Sequence, residues 1–264
     1  MTISYSKLAV AAGLATGAVF SSFATGNAFA FGFEFQGTYS ENNAPTGDIL
    51  LESVTIGDTI IEDFSFVTSA TIVSNDEFSG GNSGAASADT GDDATGGVRQ
   101  EDAEAEDIVA NLATNNLNHI VDTEDSGSFQ IDLNFGKSLD NLLIWERGMN
   151  SDLGIQAVDA MGNLIGNRLV VTDDMWYDAG FAIDTSEING AQNVGSIGIN
   201  IFADLGVESG AVETIRFFSE SSFNGPDWKF VGTDSARDVP EPALLMSLGL
   251  FGGALVLQKR LKAA

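Results

Sequence analysis

The sequence predicts a mainly β protein built as a β-sandwich. Short stretches that alternate apolar and polar residues recur along the chain, and Gly, Asn and Asp separate them. In residues 128–135, for example, Phe129, Ile131, Leu133 and Phe135 all fall on one face of an extended strand. A series of short strands divided by turn residues is typical of sandwiches and barrels.

Other segments support the same prediction. Residues 53–61 predict a hairpin, because the two-residue loop Gly57–Asp58 begins with glycine and fits the primed turns that match strand twist. The remaining predicted strands and hairpins cover residues 31–35, 139–145, 155–171 with a turn at 160–163, 194–202 and 212–218.

The alternation is interrupted between residues 75 and 127. Residues 75–98 are mostly Gly, Ser, Ala, Asp and Thr, which predicts a long surface loop. Residues 101–113 place acids in the first turns, where the helix dipole favours them, and apolar residues at helical spacing. We therefore expect one inserted amphipathic helix that packs over an open end of the sandwich.

The central part of the chain is strongly acidic. Residues 31–238 contain 37 of the 38 acidic residues and seven of the 11 basic ones, which gives a net charge of −30. Such a surface repels nucleic acid and keeps a protein soluble. The absence of cysteine excludes a disulfide-stapled mini-protein, and 208 residues are enough to bury a core as one domain.

The first thirty residues have the pattern of a signal peptide. Lys7 is the one cation, residues 8–20 are apolar, and Ala28 and Ala30 form the small-x-small pattern that precedes cleavage. The sequence thus predicts removal of residues 1–30 by signal peptidase and a mature chain that begins at Phe31. A membrane anchor is the weaker interpretation, because several glycines interrupt the segment.

Residues 239–264 have a different pattern. Pro240, Glu241 and Pro242 precede an apolar run of 15 residues, 243–257, which as a helix is roughly 22 Å long against a hydrocarbon core of about 30 Å. The basic residues that follow predict a short transmembrane helix with its basic end in the cytoplasm. These residues are Lys259, Arg260 and Lys262. The alternative is an ordinary tail anchor whose prolines start the helix.

This tail closely resembles the PEP-CTERM sorting signal. The resemblance implies that an exosortase, a membrane cysteine peptidase, recognises Pro240–Pro242 and processes a membrane-tethered precursor. Residues 141–148, 153–166 and 225–229 also resemble stretches of exosortase-dependent surface proteins. They are similar to jelly-roll modules of the galactose-binding type, which implies a jelly-roll-like sandwich.

Catalytic motifs are absent from the sequence. The chain has no cysteine, one histidine and no G-x-S-x-G elbow, so no nucleophilic constellation is indicated. We interpret His119 as a partly exposed residue at the end of the predicted helix. The sequence does not predict an enzyme.

Two acidic clusters are candidate calcium sites, since carboxylates on a glycine-bearing loop are hard oxygen ligands. These clusters are Asp89, Asp92 and Asp93, and Asp122, Glu124 and Asp125. Neither has EF-hand spacing, and solvated acids in a mobile loop are the alternative.

Tryptophans supply the candidate carbohydrate contacts. Trp176 and Trp228 could stack on sugar rings if they are exposed, whereas Trp145 in its apolar strand is expected in the core. The predicted function is a structural or interaction role at the cell surface or in the extracellular matrix. The alternatives are a calcium-assisted module that binds extracellular polysaccharide and, third, a polysaccharide-active enzyme.

Overall fold

The computed structural model of the protein describes residues 31–40, 44–80, 86–185, 190–208 and 212–234. The predicted signal peptide and sorting segment, 1–30 and 239–264, lie outside these residues. The strands are β1 Gln36–Tyr39, β2 Leu51–Ile56, β3 Thr59–Ile61, β4 Ser69–Asn75, β5 Ala86–Thr90, β6 His119–Thr123, β7 Phe129–Asn134, β8 Asn141–Arg147, β9 Leu153–Val158, β10 Leu164–Val171, β11 Tyr177–Ile183, β12 Gln192–Asn200, β13 Thr214–Ser219 and β14 Asp227–Thr233. The helix α1 spans Ala105–Leu112, and a 3-10 turn spans Asp173–Met175.

The strands form three antiparallel sheets. The five-stranded sheet has the order β10-β9-β13-β7-β4, the six-stranded sheet β11-β12-β8-β14-β6-β5, and the small sheet β1-β2-β3. This architecture confirms the prediction of a mainly β protein.

The five-stranded and six-stranded sheets pack face to face through aromatic rings. Phe217 of β13 stacks on Trp228 and Phe230 of β14, with ring centroids 4.7 Å and 4.4 Å apart. Phe129 of β7, which lies in the same sheet as Phe217, also stacks on Trp228. Stacked rings bury a large apolar area, so they contribute much of the hydrophobic stabilisation between the two layers.

The small sheet adds a third layer that the sequence did not predict. It packs on the other face of the six-stranded sheet, where Phe35 meets Trp145 edge to face at 5.2 Å and Tyr39 meets Phe181 at 4.7 Å. Strands β8 and β14 are therefore buried at every position. A strand covered on both faces needs apolar residues on both faces, which explains the unbroken apolar run 142–145.

The predicted hairpins are confirmed. Strands β2 and β3 are joined at Gly57, whose φ of +58° is the left-handed conformation that glycine adopts without strain. Strands β9 and β10 are joined by a turn in which Asp159 Oδ1 accepts hydrogen bonds from the N–H groups of Met161 and Asn163, both at 2.8 Å. In β7 the predicted inward face is buried as expected.

The predicted first strand is displaced along the chain. Strand β1 begins at Gln36 instead of Phe31, and Phe33 forms a single bridge with Gly198 of β12. Residues 31–35 thus precede the small sheet, and Phe33 pairs with β12 of the six-stranded sheet instead. Only the tertiary arrangement decides which edge accepts them.

The prediction of a surface loop for residues 75–98 is wrong in part, because β5 lies there and all five of its residues are buried. The side chain of Asn75 holds this strand in place by bonding both the N–H and the C=O of Ala86, at 2.9 Å and 3.1 Å. Small residues are common in loops, which is why the sequence predicted one here. They also fit a buried strand, because their short side chains let other segments pack close to the backbone.

Helix α1 confirms the predicted amphipathic helix, although it is shorter than expected. It begins after a capping box in which Glu104 and Asp107 satisfy each other's backbone N–H groups. It contacts β4 at the edge of the five-stranded sheet and β5 and β6 at the edge of the six-stranded sheet. The helix therefore closes one open side of the sandwich. No helix within the described ranges has the length and apolar character that a membrane crossing requires.

Candidate ligand-binding site

A cavity of about 500 Å³ lies at one end of the six-stranded sheet, where β6 and β8 end and β14 begins. We call it the rim cavity. Because neighbouring strands are antiparallel, Arg147 at the end of β8 pairs with Asp227 at the start of β14. It is lined by residues 122–125, 150–151 and 224–225 and also by Phe78, Glu101 and Gln192.

Three buried charged residues form the floor of the rim cavity. Arg147 Nη1 lies 2.6 Å from Asp227 Oδ2 and 3.6 Å from Asp122 Oδ2. The Arg147 side chain is 0 % exposed, and those of Asp122 and Asp227 are 9 % and 8 % exposed. A buried guanidinium needs carboxylate partners to offset its desolvation.

The floor is only partly satisfied. Within the described part of the chain, Arg147 Nε and Nη2 and Thr123 Oγ1 make no hydrogen bond. A buried polar group without a partner costs about 1–3 kcal/mol, and more when it is charged. The floor therefore contains unpaired donors and an unpaired hydroxyl that solvent does not reach.

Burial changes the protonation of the two floor acids. It raises the pKa of Asp227 to about 6, although the positive charge of Arg147 acts in the opposite direction. Burial is the main cause that raises the pKa of Asp122 well above its usual value, and the charge of the nearby Asp227 raises it further. At neutral pH Asp227 is mainly ionised and balances the charge of Arg147.

The mouth of the rim cavity is acidic. Glu101, Glu124 and Asp125 line it, and Arg147 in the floor is the one cation among the lining residues described. Burial first, and then the charges of Glu101 and Asp125, raise the pKa of Glu124. Since part of this shift reports mutual repulsion, the mouth attracts positive charge.

Two strained loops shape the wall. Met149 and Asn224 have φ of +55° and +61°, and they are the two non-glycine residues with positive φ in the described ranges. Ser151 Oγ donates to Asn224 O at 2.7 Å, and Asn224 Nδ2 donates to Asn150 O at 3.2 Å. Such strained residues persist only where surrounding contacts hold them, and they concentrate at functional sites.

Glu146 holds the loop that contains Met149 in place. Its Oε2 accepts the N–H of Met149 at 2.6 Å, and burial raises its pKa well above the ordinary value. The residue is fully buried at the end of β8, next to Arg147. It orients the loop without lining the cavity.

Of the two predicted calcium clusters, the structure brings one together. Asp122, Glu124 and Asp125 share the rim cavity. No group of three or more acidic, histidine or cysteine residues in the part of the chain described is arranged to hold a metal ion. The calcium hypothesis for this cluster stays a prediction.

The other cluster is separated by the fold. Asp89 belongs to β5 and is 3 % exposed, so it is not a loop ligand as predicted. Its neighbour is Arg99, with Nε 3.9 Å from Oδ1. Asp92 and Asp93 lie in an exposed turn after β5, where Asp93 Oδ2 accepts a bond from Thr46 Oγ1 at 2.9 Å.

Neither predicted tryptophan offers a ring face to a sugar. Trp228 is 0 % exposed between the two large sheets, and Trp176 is 6 % exposed with Nε1 donating to Ser151 O at 2.9 Å. The carbohydrate-platform hypothesis is therefore wrong for both rings. Trp145 lies in the core, as predicted.

His119 also differs from its prediction as an exposed helix end. It lies in β6, is buried, and its pKa is lowered to about 4 by burial and by the nearby charge of Lys229. Its Nε2 lies 3.1 Å from Asn116 Nδ2 and 3.2 Å from Thr95 O. These contacts tie β6 to the loop after β5, which is a structural role.

Sequence reasoning missed Arg147, Asp227 and Lys229 as charged residues of the interior. Lys229 is buried, and its Nζ donates to Asn111 O in the last turn of α1 at 2.5 Å. Burial lowers its pKa to about 7. A signal was present, because each of these charges lies within or directly beside an apolar strand segment.

The residues of the predicted processing sites lie outside the described residues. These are Ala28, Ala30, Pro240, Glu241, Pro242, Lys259, Arg260 and Lys262. In comparisons with known proteins, no family model, no curated protein and no solved structure matches the chain. The function proposed below therefore rests on the residues of this chain.

Proposed function

We propose that the protein is an exported surface protein, processed by an exosortase, with a structural or interaction role in the envelope or extracellular matrix. The observation that carries the proposal is the order of Pro240–Pro242, the apolar run 243–257 and the basic residues after it. The acidic sandwich is the part that remains outside the cell. Its type is jelly-roll-like, similar to galactose-binding modules.

Glu241 provides the test. Glu241→Ala removes the acidic residue between the two prolines, and we expect the variant to keep its tail and to remain in the membrane fraction. Intact mass of the native protein, combined with fractionation, reports both cleavages, and the mature chain is expected to begin at Phe31. Glu62→Ala is the control, because Glu62 is an exposed acid of the sandwich. Normal tail removal in Glu241→Ala would count against exosortase recognition.

Carbohydrate binding is the second candidate function. It is supported by the rim cavity, which has the size of a small-molecule site and is lined mainly by polar and charged side chains. Polysaccharide is the corresponding partner outside the cell. No residue is proposed to act in catalysis.

The part played by calcium in this second function can be measured directly. If Asp122, Glu124 and Asp125 bind calcium, millimolar calcium should raise the thermal midpoint by mass action on the folded state, and chelator should reverse the rise. Equal melting curves at constant ionic strength would rule out the calcium site and leave these acids as solubilising surface.

A further inference from the structure

We propose that removal of the signal peptide creates a structural contact, in which the new α-ammonium group of Phe31 pairs with the carboxylate of Asp204. The inference rests on the export and processing proposed above, because the ammonium group forms only when the bond between Ala30 and Phe31 is cleaved. Before cleavage the same nitrogen belongs to an uncharged peptide bond. After it, the α-amino group is mainly protonated at neutral pH.

The first residues of the predicted mature chain lie against strand β12. Phe33 and Gly198 exchange two backbone hydrogen bonds, both 2.8 Å long. Gly32 fits closely against the same strand, because a Cβ atom at this position would lie 2.8 Å from Ile197 Cδ1. The backbone is thus held in place one residue after Phe31, so the position of the Phe31 nitrogen is narrowly limited.

Asp204 lies beside this part of the backbone. Its carboxylate accepts a hydrogen bond from the N–H of Gly32, and its Oδ2 accepts one from the N–H of Asn200 at 2.7 Å. Nitrogen atoms of adjacent residues are less than about 3.8 Å apart, since three covalent bonds join them. With about 3 Å for the hydrogen bond, the Phe31 nitrogen lies within about 7 Å of the carboxylate. Rotation of the terminal residue alone can bring it closer.

The carboxylate of Asp204 lacks a cation. Asp204 is half-buried, and burial raises its pKa even though the N–H groups of Asn200 and Gly32 act in the opposite direction. Among the residues that the structure describes, no lysine, arginine or histidine forms an ion pair with it. Two N–H donors therefore leave the charge only partly compensated. An ammonium group supplies a full positive charge and three N–H donors.

The loop that contains Asp204 is ordered by hydrogen bonds of its own. Asn200 Oδ1 accepts the N–H of Ala203 at 2.7 Å, and Asn167 Nδ2 donates to Asp204 O at 2.9 Å. The carboxylate is therefore in position before the ammonium group forms, so the pairing requires little further ordering of the acid. Cleavage thus stabilises the mature sandwich relative to its precursor.

Thermal unfolding of the exported and purified protein tests the contact through a double-mutant cycle. The first change inserts one glycine between Ala30 and Phe31, so that cleavage leaves the ammonium group one residue farther from Asp204. The second is Asp204→Asn, which keeps the shape of the side chain and removes its charge. We expect the insertion to lower the thermal midpoint by about 2–4 °C when Asp204 is present, and by less than about 1 °C in Asp204→Asn.

Glu34→Gln is the control, because Glu34 is an exposed acid of the same N-terminal segment. The insertion should lower the midpoint of this variant as much as that of the unaltered protein. An effect of the insertion that is equal with and without Asp204→Asn, or that shrinks equally in Glu34→Gln, would overturn the inference. Intact mass reports the first residue of each sample. A chain that begins at Phe31 but shows no coupling leaves the export proposal standing, whereas a native chain that begins elsewhere overturns both.

Discussion

Asp227 and Arg147 face each other across β14 and β8, and Asp227 Oδ2 lies 2.6 Å from Arg147 Nη1 in a place nearly closed to solvent. Asp122 approaches the same guanidinium from β6 at 3.6 Å. Two carboxyl groups thus share one cation beneath the rim cavity. The stability of the sandwich is therefore expected to respond both to the loss of the cation and to pH.

Arg147→Met should destabilise the protein by about 3–5 kcal/mol at pH 7, because it leaves buried carboxylates without their cation. Urea unfolding measures the change. The loss should be smaller at pH 5, where Asp227, whose pKa burial raises to about 6, can take up a proton. Lys137→Met is the control. Its exposed ion pair with Asp234 should contribute about 1 kcal/mol or less. Similar losses in the two variants would contradict the buried-pair interpretation.

Asp122→Asn should make the protein relatively more stable as the pH rises from 4 to 7. Burial raises the pKa of Asp122 in the folded state, so the unfolded chain loses its proton first. The contribution of Asp122 is thus present at low pH and is lost as the pH rises toward its folded pKa. Asparagine cannot titrate, so the variant avoids this loss. Urea unfolding at pH 4, 5.5 and 7 measures the difference from the wild type.

Asp159→Asn serves as a control with the opposite sign. Hydrogen bonds from Asn163 lower the pKa of Asp159, so its contribution is present at neutral pH and is lost as the pH falls. This variant should therefore be less stable than the wild type at pH 7. Parallel pH profiles for the wild type and Asp122→Asn would show that Asp122 ionises normally.

Lys229→Met should remove a rise in stability at alkaline pH. Burial lowers the pKa of Lys229 to about 7, against 10.5 for an exposed lysine, so the unfolded chain binds more protons between these values. Stability of the wild type should increase by about 3 kcal/mol from pH 7 to pH 9.5 through this group. The variant should lack this increase. An equal increase in both proteins, measured by urea unfolding, would assign it to other residues.

Trp228→Ala should cost about 3–5 kcal/mol, because the ring fills the space between the two large sheets and its removal leaves a cavity. Thermal and urea unfolding measure the loss. Phe202→Ala is the matched control, since Phe202 is 63 % exposed and its removal should change stability by less than about 0.5 kcal/mol. A small loss for Trp228→Ala would indicate that the ring is not part of the core.

Local patterns were sufficient to predict several elements. The alternation of apolar and polar residues predicted the buried face of β7, and Gly57 in a two-residue turn predicted the β2–β3 hairpin. Acidic residues that precede apolar residues at helical spacing predicted α1. Each of these depends on neighbours in the chain, because period, turn geometry and capping act over a few residues. The excess of acids can likewise be read without coordinates.

The rim cavity could be predicted only in part. The sequence singled out Asp122, Glu124 and Asp125, which do share it, but it missed Arg147 and Asp227, which form its floor. It also placed Asp89 on a surface loop, whereas β5 is buried by pairing with β6. Which acids meet depends on the pairing of β14 with both β8 and β6, and these strands are far apart in the chain.

The sequence by itself determined the class of the fold, the positions of most strands and the charge of the surface, because these follow from the chemistry of adjacent residues. Only the tertiary structure decided that the small sheet covers the second face of the six-stranded sheet, that Trp228 is core, and that Arg147 is enclosed with two acids. The reason is physical, because burial and ion pairing depend on contacts between distant segments. The local pattern of residues does not specify those contacts.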